Sequence, residues 1–371
     1  MTEARLWVVV LAGLLLAGCS GGSGGSDAGD DGNNGGDNNQ VKCGSQYCAA
    51  SQDCLAGSVC VTRPAETARA CVEDADNLFH EVADADLSCH NTSACTGSDG
   101  SDCPQGLVCR DGTCGIPTPA GPQTVTFRGC VDAFGIGDTT HQMRVALYLA
   151  DQDPSGASSW DVATTEDKQN CEYWGAFEFT DVPTNTPLIL KSYDDQGDFV
   201  TVFKYNLILW ADLATQEGDG WVFDTRSSAS DPRTGREISL HPWRGYAISQ
   251  ATYNVILMAV GVTLGDNEGA IAGTIRDCAY QEMEYVQCNT STPPQVVTYF
   301  TNAENPRPDH SRDSSNVNGI YAAIGLEAGT HDLACLARNP DGAAVPLGRY
   351  SVKVFPHSIT ILSFDWYPAV P

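Results

Sequence analysis

The amino-acid sequence predicts a mainly β protein in which a small disulfide-rich module is followed by two β-sandwiches. Short runs of alternating polarity recur from Thr124 onward, mostly separated by Gly, Pro, Asp or Ser clusters, and strands at this spacing build sandwiches. Ten cysteines crowd the stretch from Cys43 to Cys114 with few large apolar residues between them, so crosslinks must replace a core there. From Gly269 the strand pattern starts a second time.

In chain order, Arg5 is followed by the apolar run Leu6 to Leu16. It is long enough for the core of a signal peptide and well short of the roughly 20 residues that cross a bilayer. Leu16-Ala17-Gly18-Cys19 then resembles the bacterial lipobox. The resemblance implies that residues 1–18 are a lipoprotein signal peptide and that Cys19 becomes the acylated first residue of the mature chain. Its acyl chains would hold the protein to the membrane at about 0.8 kcal/mol per buried methylene. Ser20 fits sorting to the outer membrane, facing periplasm or cell surface. Residues 19–42 contain almost nothing apolar and predict a disordered Gly/Ser/Asp/Asn tether, with a root-mean-square reach of about 25 Å.

Residues 43–117 form the cysteine-rich module, with Cys43, Cys48, Cys54, Cys60, Cys71, Cys89, Cys95, Cys103, Cys109 and Cys114. Cys48-Cys54-Cys60-Cys71 and Cys95-Cys103-Cys109-Cys114 read as two copies, each carrying a C-x5-C step that ends in G-x-[VL]-C. The second copy, DCPQGLVCRDGTC, is similar to the small knottin-like repeats of secreted proteins. Five disulfides are expected, in an order that spacing does not reveal. Between the copies, Leu78, Phe79, Val82 and Leu87 have helical spacing and predict a short amphipathic helix over 72–87. A proline-rich connector, 115–122, closes the module.

The first sandwich is placed over 123–246, on the runs 124–131, 143–150, 174–180, 188–193 and 199–207. The second occupies 267–371, on 270–277, 295–300, 319–326, 332–337, 348–355 and 358–366. Between them, 247–266 is a helical connector, with Ser249 as cap and Ile248, Ala251, Ile256, Leu257 and Val260 on one broad face. Cys130 and Cys171 are the only cysteines of the first sandwich and are expected to pair. In the second, Cys278 with Cys288 is favoured because Cys335 lies in the apolar run DLACLA, and Cys278 with Cys335 is the alternative.

The two halves can be laid over one another, Phe127-Arg128-Gly129-Cys130 near Ile275-Arg276-Asp277-Cys278, and Tyr173 to Phe177 on Val317 to Tyr321. The shared order is a strand ending in Cys, a variable strand, Asn-Gly-x-Tyr, then a Leu-x-x-Gly turn before an apolar strand. It resembles the carboxypeptidase regulatory-like, transthyretin-like sandwich, most clearly from Gly273 to Ala337. The first copy departs from it, with Trp174-Gly175 in place of Asn-Gly. With the lipobox, tether and cysteine repeats, the whole is similar to outer-membrane lipoproteins of the myxobacterial type. In carboxypeptidases this sandwich is a non-catalytic appendage, and the resemblance implies no catalytic domain here.

Acidic residues outnumber basic ones 47 to 20, giving a formal charge of −27 that repels phosphate backbones, so nucleic acid is excluded as a partner. Sixteen cysteines point to an oxidising compartment. No two cysteines are two residues apart, and His80 to Asp84 puts Asp where a second metal-binding His belongs, so no metal is expected. Gly135-Ile136-Gly137 lacks the third glycine of a dinucleotide loop, and the G-x-S-x-G match at Gly18 to Gly22 falls in lipobox and tether. No cofactor and no catalysis are expected. His241-Pro242-Trp243 and His331 are the conspicuous histidines, and Trp160 and Trp221, in turn-like surroundings, are candidate contacts for a protein or glycan ligand.

The functional expectation is a non-catalytic envelope lipoprotein acting as a surface binding, adhesion or assembly module, bound to the membrane through its lipid. The alternatives are an extracellular protease inhibitor presenting Arg110 from its cysteine-rich repeats, or an accessory subunit or enzyme with a site between domains.

Overall fold

The computed structural model describes residues 58–62, 69–73, 96, 108–110 and 113–115 of the cysteine-rich stretch. It then describes 118–363 apart from 136–138, 168–169, 173–174, 231–236, 278–280, 303–305 and 339–343. Cys19, the tether, residues 74–87 of the expected helix, and Cys43, Cys48, Cys54, Cys89, Cys95, Cys103 and Cys278 lie outside the described residues, while Val72 and Glu73, expected to open that helix, are in a β-strand.

Two hairpins occupy the same place in the two cysteine copies. Strand β1 (Ser58–Thr62) pairs antiparallel with β2 (Arg69–Glu73) and sets Cys60 opposite Cys71. Strand β3 (Val108–Arg110) pairs with β4 (Thr113–Gly115) and sets Cys109 opposite Cys114. Cys109 is disulfide-bonded.

From Thr124 the expected runs become β5 (Thr124–Ala133), β6 (Arg144–Leu149), β8 (Ala176–Pro183), β9 (Pro187–Tyr193) and β10 (Val202–Ile208), and an unexpected strand, β7 (Trp160–Ala163), forms where a turn was read around Trp160. Shorter strands follow, β11 (Thr215–Glu217), β12 (Gly220–Asp224), β13 (Ser228–Ser230), β14 (Glu237–Ser239) and β15 (Gly245–Ala247). After helix α1 (Gln250–Val260) come β16 (Glu268–Thr274), β17 (Gln287–Thr290), β18 (Val296–Phe300) and β19 (Pro308–Asp309). The last are β20 (Ile320–Glu327), β21 (Gly329–Arg338), β22 (Ala344–Val354) and β23 (Ile359–Ile361).

The two halves share one nine-stranded sheet, in the order β19-β18-β20-β16-β23-β10-β9-β6-β7. Strand β23 is the splice, since it runs parallel to β10 on one side and to β16 on the other. Residues paired across strands share a face, so the packing can be followed along the sheet. Leu190 opposite Lys204, and Ser192 and Ile359 either side of Val202, put the first core and the α1 side of the second half on one face. On that face lie the sheet β11-β12-β5-β15, with β8 paired to β5, and then α1. On the opposite face the three-stranded sheet β17-β21-β22 covers Ile271, Val297, Tyr299 and Tyr321. Two sandwiches thus lie on opposite sides of a common layer.

The alternation seen in sequence explains both faces. Val145, Leu147, Leu188 and Leu190 point into the first core, while Ala146, Tyr148 and Ile189 join Phe203 on the other side. Each large side chain so buried contributes about 1.5–3 kcal/mol. The second half carries its Asn-Gly-x-Tyr motif at the start of β20, where Gly319 has φ 63° and a Cβ would fall 2.5 Å from the Ile275 carbonyl oxygen. Tyr321 is fully buried beyond it.

Ser249 caps α1 as expected, accepting from the Thr252 amide at 3.2 Å, and Gly261 at φ 71° ends the helix in the left-handed region. The buried face differs from the expected one. Tyr253 and Ile256 are buried, Leu257 and Val260 half-buried, and Ala251 is exposed. A contact stripe at i, i+3, i+4 and i+7 starting from Tyr253 leaves Ala251 about 200° away around the helix. Among the described residues no helix is long and apolar enough to cross a membrane.

Cys130 of β5 is bonded to Cys171, with both side chains buried. The expected Cys278–Cys288 bond is corrected, because Cys288 is bonded to Cys335. These two are register partners on antiparallel β17 and β21, with Cα atoms 4.1 Å apart. The apolar run around Cys335 is what carries it into the core facing Cys288. By loop closure the Cys130–Cys171 bond, spanning 41 residues, contributes about 4 kcal/mol. A Cys130→Ala/Cys171→Ala double variant is therefore expected to lose about that much in urea denaturation, with peptide mapping of the unreduced chain recovering Cys288 linked to Cys335.

Candidate functional site

The site lies where the halves meet, on the α1 side of the shared sheet. It is built outward from Trp243. The indole is buried in the first core and donates to the Ile208 carbonyl at 2.7 Å, which fixes the short 3-10 turn His241–Trp243 started by Pro242. His241 and Arg244 flank that anchor. The Arg244 guanidinium is buried, donating from Nε to the Thr225 carbonyl at 3.1 Å and from Nη1 to both Asp132 carboxylate oxygens at 3.1 and 3.2 Å. Breaking such a pair strands an unpaired charge and typically costs about 3–5 kcal/mol.

Nη2 of Arg244 stands 2.8 Å from His241 Nε2. A guanidinium can only donate, so His241 Nε2 accepts and the proton of the neutral ring sits on Nδ1. Burial, and then the charge of Arg244, push the His241 pKa below its ordinary value of 6.5. Beneath them Lys204 rises from β10, buried. Its ammonium donates to the Pro242 and Arg244 carbonyls and lies 4.8 Å from the Tyr246 ring centre. From the second half, Arg276 donates to Glu282 at 3.3 Å, and Asp277 accepts from the Gln281 amide at 2.8 Å. The result is a polar cleft of about 400 Å³ between the halves, lined by Asp132, Glu237, His241, Tyr246, Arg276 and Glu282 among others.

Tyr246 is also a wall of a second space. Behind it, between α1 and the shared sheet, is a cavity of about 190 Å³. Its floor is made of small residues of β16 and β20, Ala270, Ala272, Gly273 and Ala322, and its roof includes Tyr253 and Ile256 of α1. Short side chains facing a helix leave a void that neither element fills. Tyr253 is buried, its hydroxyl has no hydrogen-bond partner among the described residues, and burial raises its pKa to about 12.

Of the residues singled out in the sequence, His241 belongs to the cleft. His331, on β21, is buried with Nε2 2.7 Å from the Glu327 carbonyl, a structural contact. Trp160 folds back on the first core and donates to the Thr180 carbonyl at 2.8 Å. Trp221, on the β11–β12 hairpin, is 40% exposed. Sequence reasoning missed Asp132, Lys204, Arg244 and Tyr253. The signals available were Lys204 inside the otherwise apolar run TVFKYNLILW and Arg244 beside the anchored Trp243.

No family model and no curated protein matches this chain. Among solved structures, the Bacillus anthracis TIE protein is 10% identical over 64% of this chain and 34% of its own length, with a TM-score of 0.17. The shaft pilin SpaA of Lactobacillus rhamnosus GG, solved as a point mutant, is 10% identical over 65% of this chain and 98% of its own, also at 0.17. A streptococcal ancillary pilin is 12% identical over 68% and 64%, again at 0.17. The chain spans about a third of the first of these proteins. Superpositions this loose carry no argument about fold or activity.

The His241 arrangement has a pH signature. Its folded pKa lies below 6.5, so as the pH falls the unfolded chain takes up the proton first. The stability held by neutral His241 is complete above that value and drains away as the pH drops beneath it. His241→Gln, which keeps an acceptor for Arg244, should flatten this part of the curve, read by urea denaturation in steps from about pH 7 to about pH 5.

Proposed function

We propose that the chain is a non-catalytic envelope lipoprotein, anchored to the outer membrane through an acylated Cys19, whose folded part serves as a binding, adhesion or assembly module. The observation that carries this reading is how the interior charges are employed. Lys204 holds two carbonyls, Arg244 holds Asp132 and Thr225, Arg276 holds Glu282, and Asp277 holds the Gln281 amide. These groups are committed to joining segments of backbone, which makes a stiff frame and leaves contact to the surface. Trp221 on its hairpin is an exposed ring suited to a protein or glycan partner. The core disulfides Cys130–Cys171 and Cys288–Cys335 support an exported, oxidised protein.

A second reading is favoured by the β3–β4 hairpin. Arg110 stands opposite Thr113 at its closing pair, directly after disulfide-bonded Cys109, and a stapled loop carrying a basic residue is a form that trypsin-like proteases recognise. Inhibition of such a protease by the mature chain, lost on Arg110→Ala, would move the function there.

For the leading reading, cells given radioactive palmitate are expected to label the wild-type chain and not Cys19→Ala, with the wild type alone in the membrane fraction. Label on the variant, or a wild-type chain that fractionates as soluble, overturns it. Protease shaving of intact cells then reports which side of the membrane the module faces.

A further inference from the structure

The apolar space under α1 and the polar cleft meet at Tyr246, which lines both. Alternate residues of an extended segment share a face, so each wall can be followed across that boundary in steps of two. At the end of β5 the step runs from Phe134 in the apolar space to Asp132 in the cleft, the register partner of Tyr246. On β16 and its continuation it runs from Thr274 to Arg276. On β10 it runs from Val202 to Lys204, whose ammonium lies 4.8 Å from the Tyr246 ring centre. Three segments thus change from carbon to charge at one level, and the two spaces are consecutive lengths of a single trough. Its charges are sorted by depth. Lys204, Arg244 and Arg276 are buried and each holds protein oxygens. The charged lining residues that are exposed, Glu237 and Glu282, are both carboxylates. An incoming group therefore meets negative charge first, on a chain whose formal charge is already −27.

We infer that the trough binds a cationic amphiphile, an alkylammonium whose chain lies in the apolar length and whose head is taken by the carboxylates of Glu237 and Glu282. Phe134, Ala272, Ile320 and Ile361 line the apolar length and are only half-buried, so the chain has carbon to cover. The short side chains of Ala270 and Ala272 leave the width for it. The buried cations cannot serve an anionic head in the same way, since their donors already hold the Pro242, Arg244 and Thr225 carbonyls and the Asp132 and Glu282 carboxylates. The site is separate from the surface contact proposed above and does not depend on acylation of Cys19.

Octylamine, octanol and octanoate share one alkyl chain and differ only in the head, so as probes they separate the two ends of the trough. The protein is the oxidised mature chain carrying Cys19→Ala, which has no acyl group to take up the probes. Calorimetric titration at neutral pH is expected to give octylamine about fivefold tighter binding than octanol, with octanoate weakest. Glu237→Gln/Glu282→Gln keeps both shapes and an acceptor for Arg276, and is expected to bring octylamine to the level of octanol while leaving octanol unchanged. Removing two charges from −27 barely alters the overall field, so a lost preference locates the head group. Ala272→Leu, which narrows the apolar length, should weaken octylamine and octanol alike, and should it fail to fold, the two exposed carboxylates decide alone. Equal affinities for octylamine and octanol in the parent chain, a preference that survives loss of both carboxylates, full binding to folded Ala272→Leu, or no binding of any probe overturns the inference.

Discussion

The two halves described from Thr124 onward are joined into one sheet through three residues. Ile359, Thr360 and Ile361 sit in the middle of the shared sheet, with Val202 to Lys204 on one side and Ala270 to Ala272 on the other. A strand inserted between two partners uses its amides and carbonyls in both directions, so neither neighbour is left with a bare edge. Thr360 is fully buried, and its hydroxyl turns back to the Lys353 carbonyl. The cleft, the cavity and the position of α1 all follow from this seam, because each is formed by residues from both of its sides.

The seam also explains an asymmetry between the halves. The antiparallel pairs β5–β8 and β16–β20 are the ones that the sequence motifs lay over one another. Yet β16–β20 belongs to the shared sheet and β5–β8 to the sheet stacked on it. The halves therefore join through opposite layers of similar sandwiches. Each contributes a cover to a different face of the common sheet, and α1 fills the space left beside β15.

Much of this was legible in the sequence. Alternation located the longer strands because each has one face in a core, and the copies of the cysteine pattern correspond to two like hairpins. Ser249 marked the start of the helix by capping chemistry alone, whereas its end at Gly261 lies short of the expected bound at 266. What failed to show were contacts between distant segments. Cys288 lies in QCNT, too short and polar to be taken for a strand, so nothing along the chain announced its register with Cys335. The cleft brings together residues near 132, 237–246 and 276–282, and although His241 stood out by itself, nothing along the chain announced that these segments meet. The alanines of AIAG and YAAIG read as ordinary strand core, since a void is a property of what stands opposite.

The order of the chain gives the seam a temporal meaning. Residues 359–361 come after every strand that they join, roughly 155 positions beyond β10 in sequence. In a chain made from its N-terminus, the early half forms with its β10 edge unclosed, exposed to misassembly until the late strand arrives. Contacts of such long range are slow to form, and during that interval the open edge is the part of the chain most in need of protection.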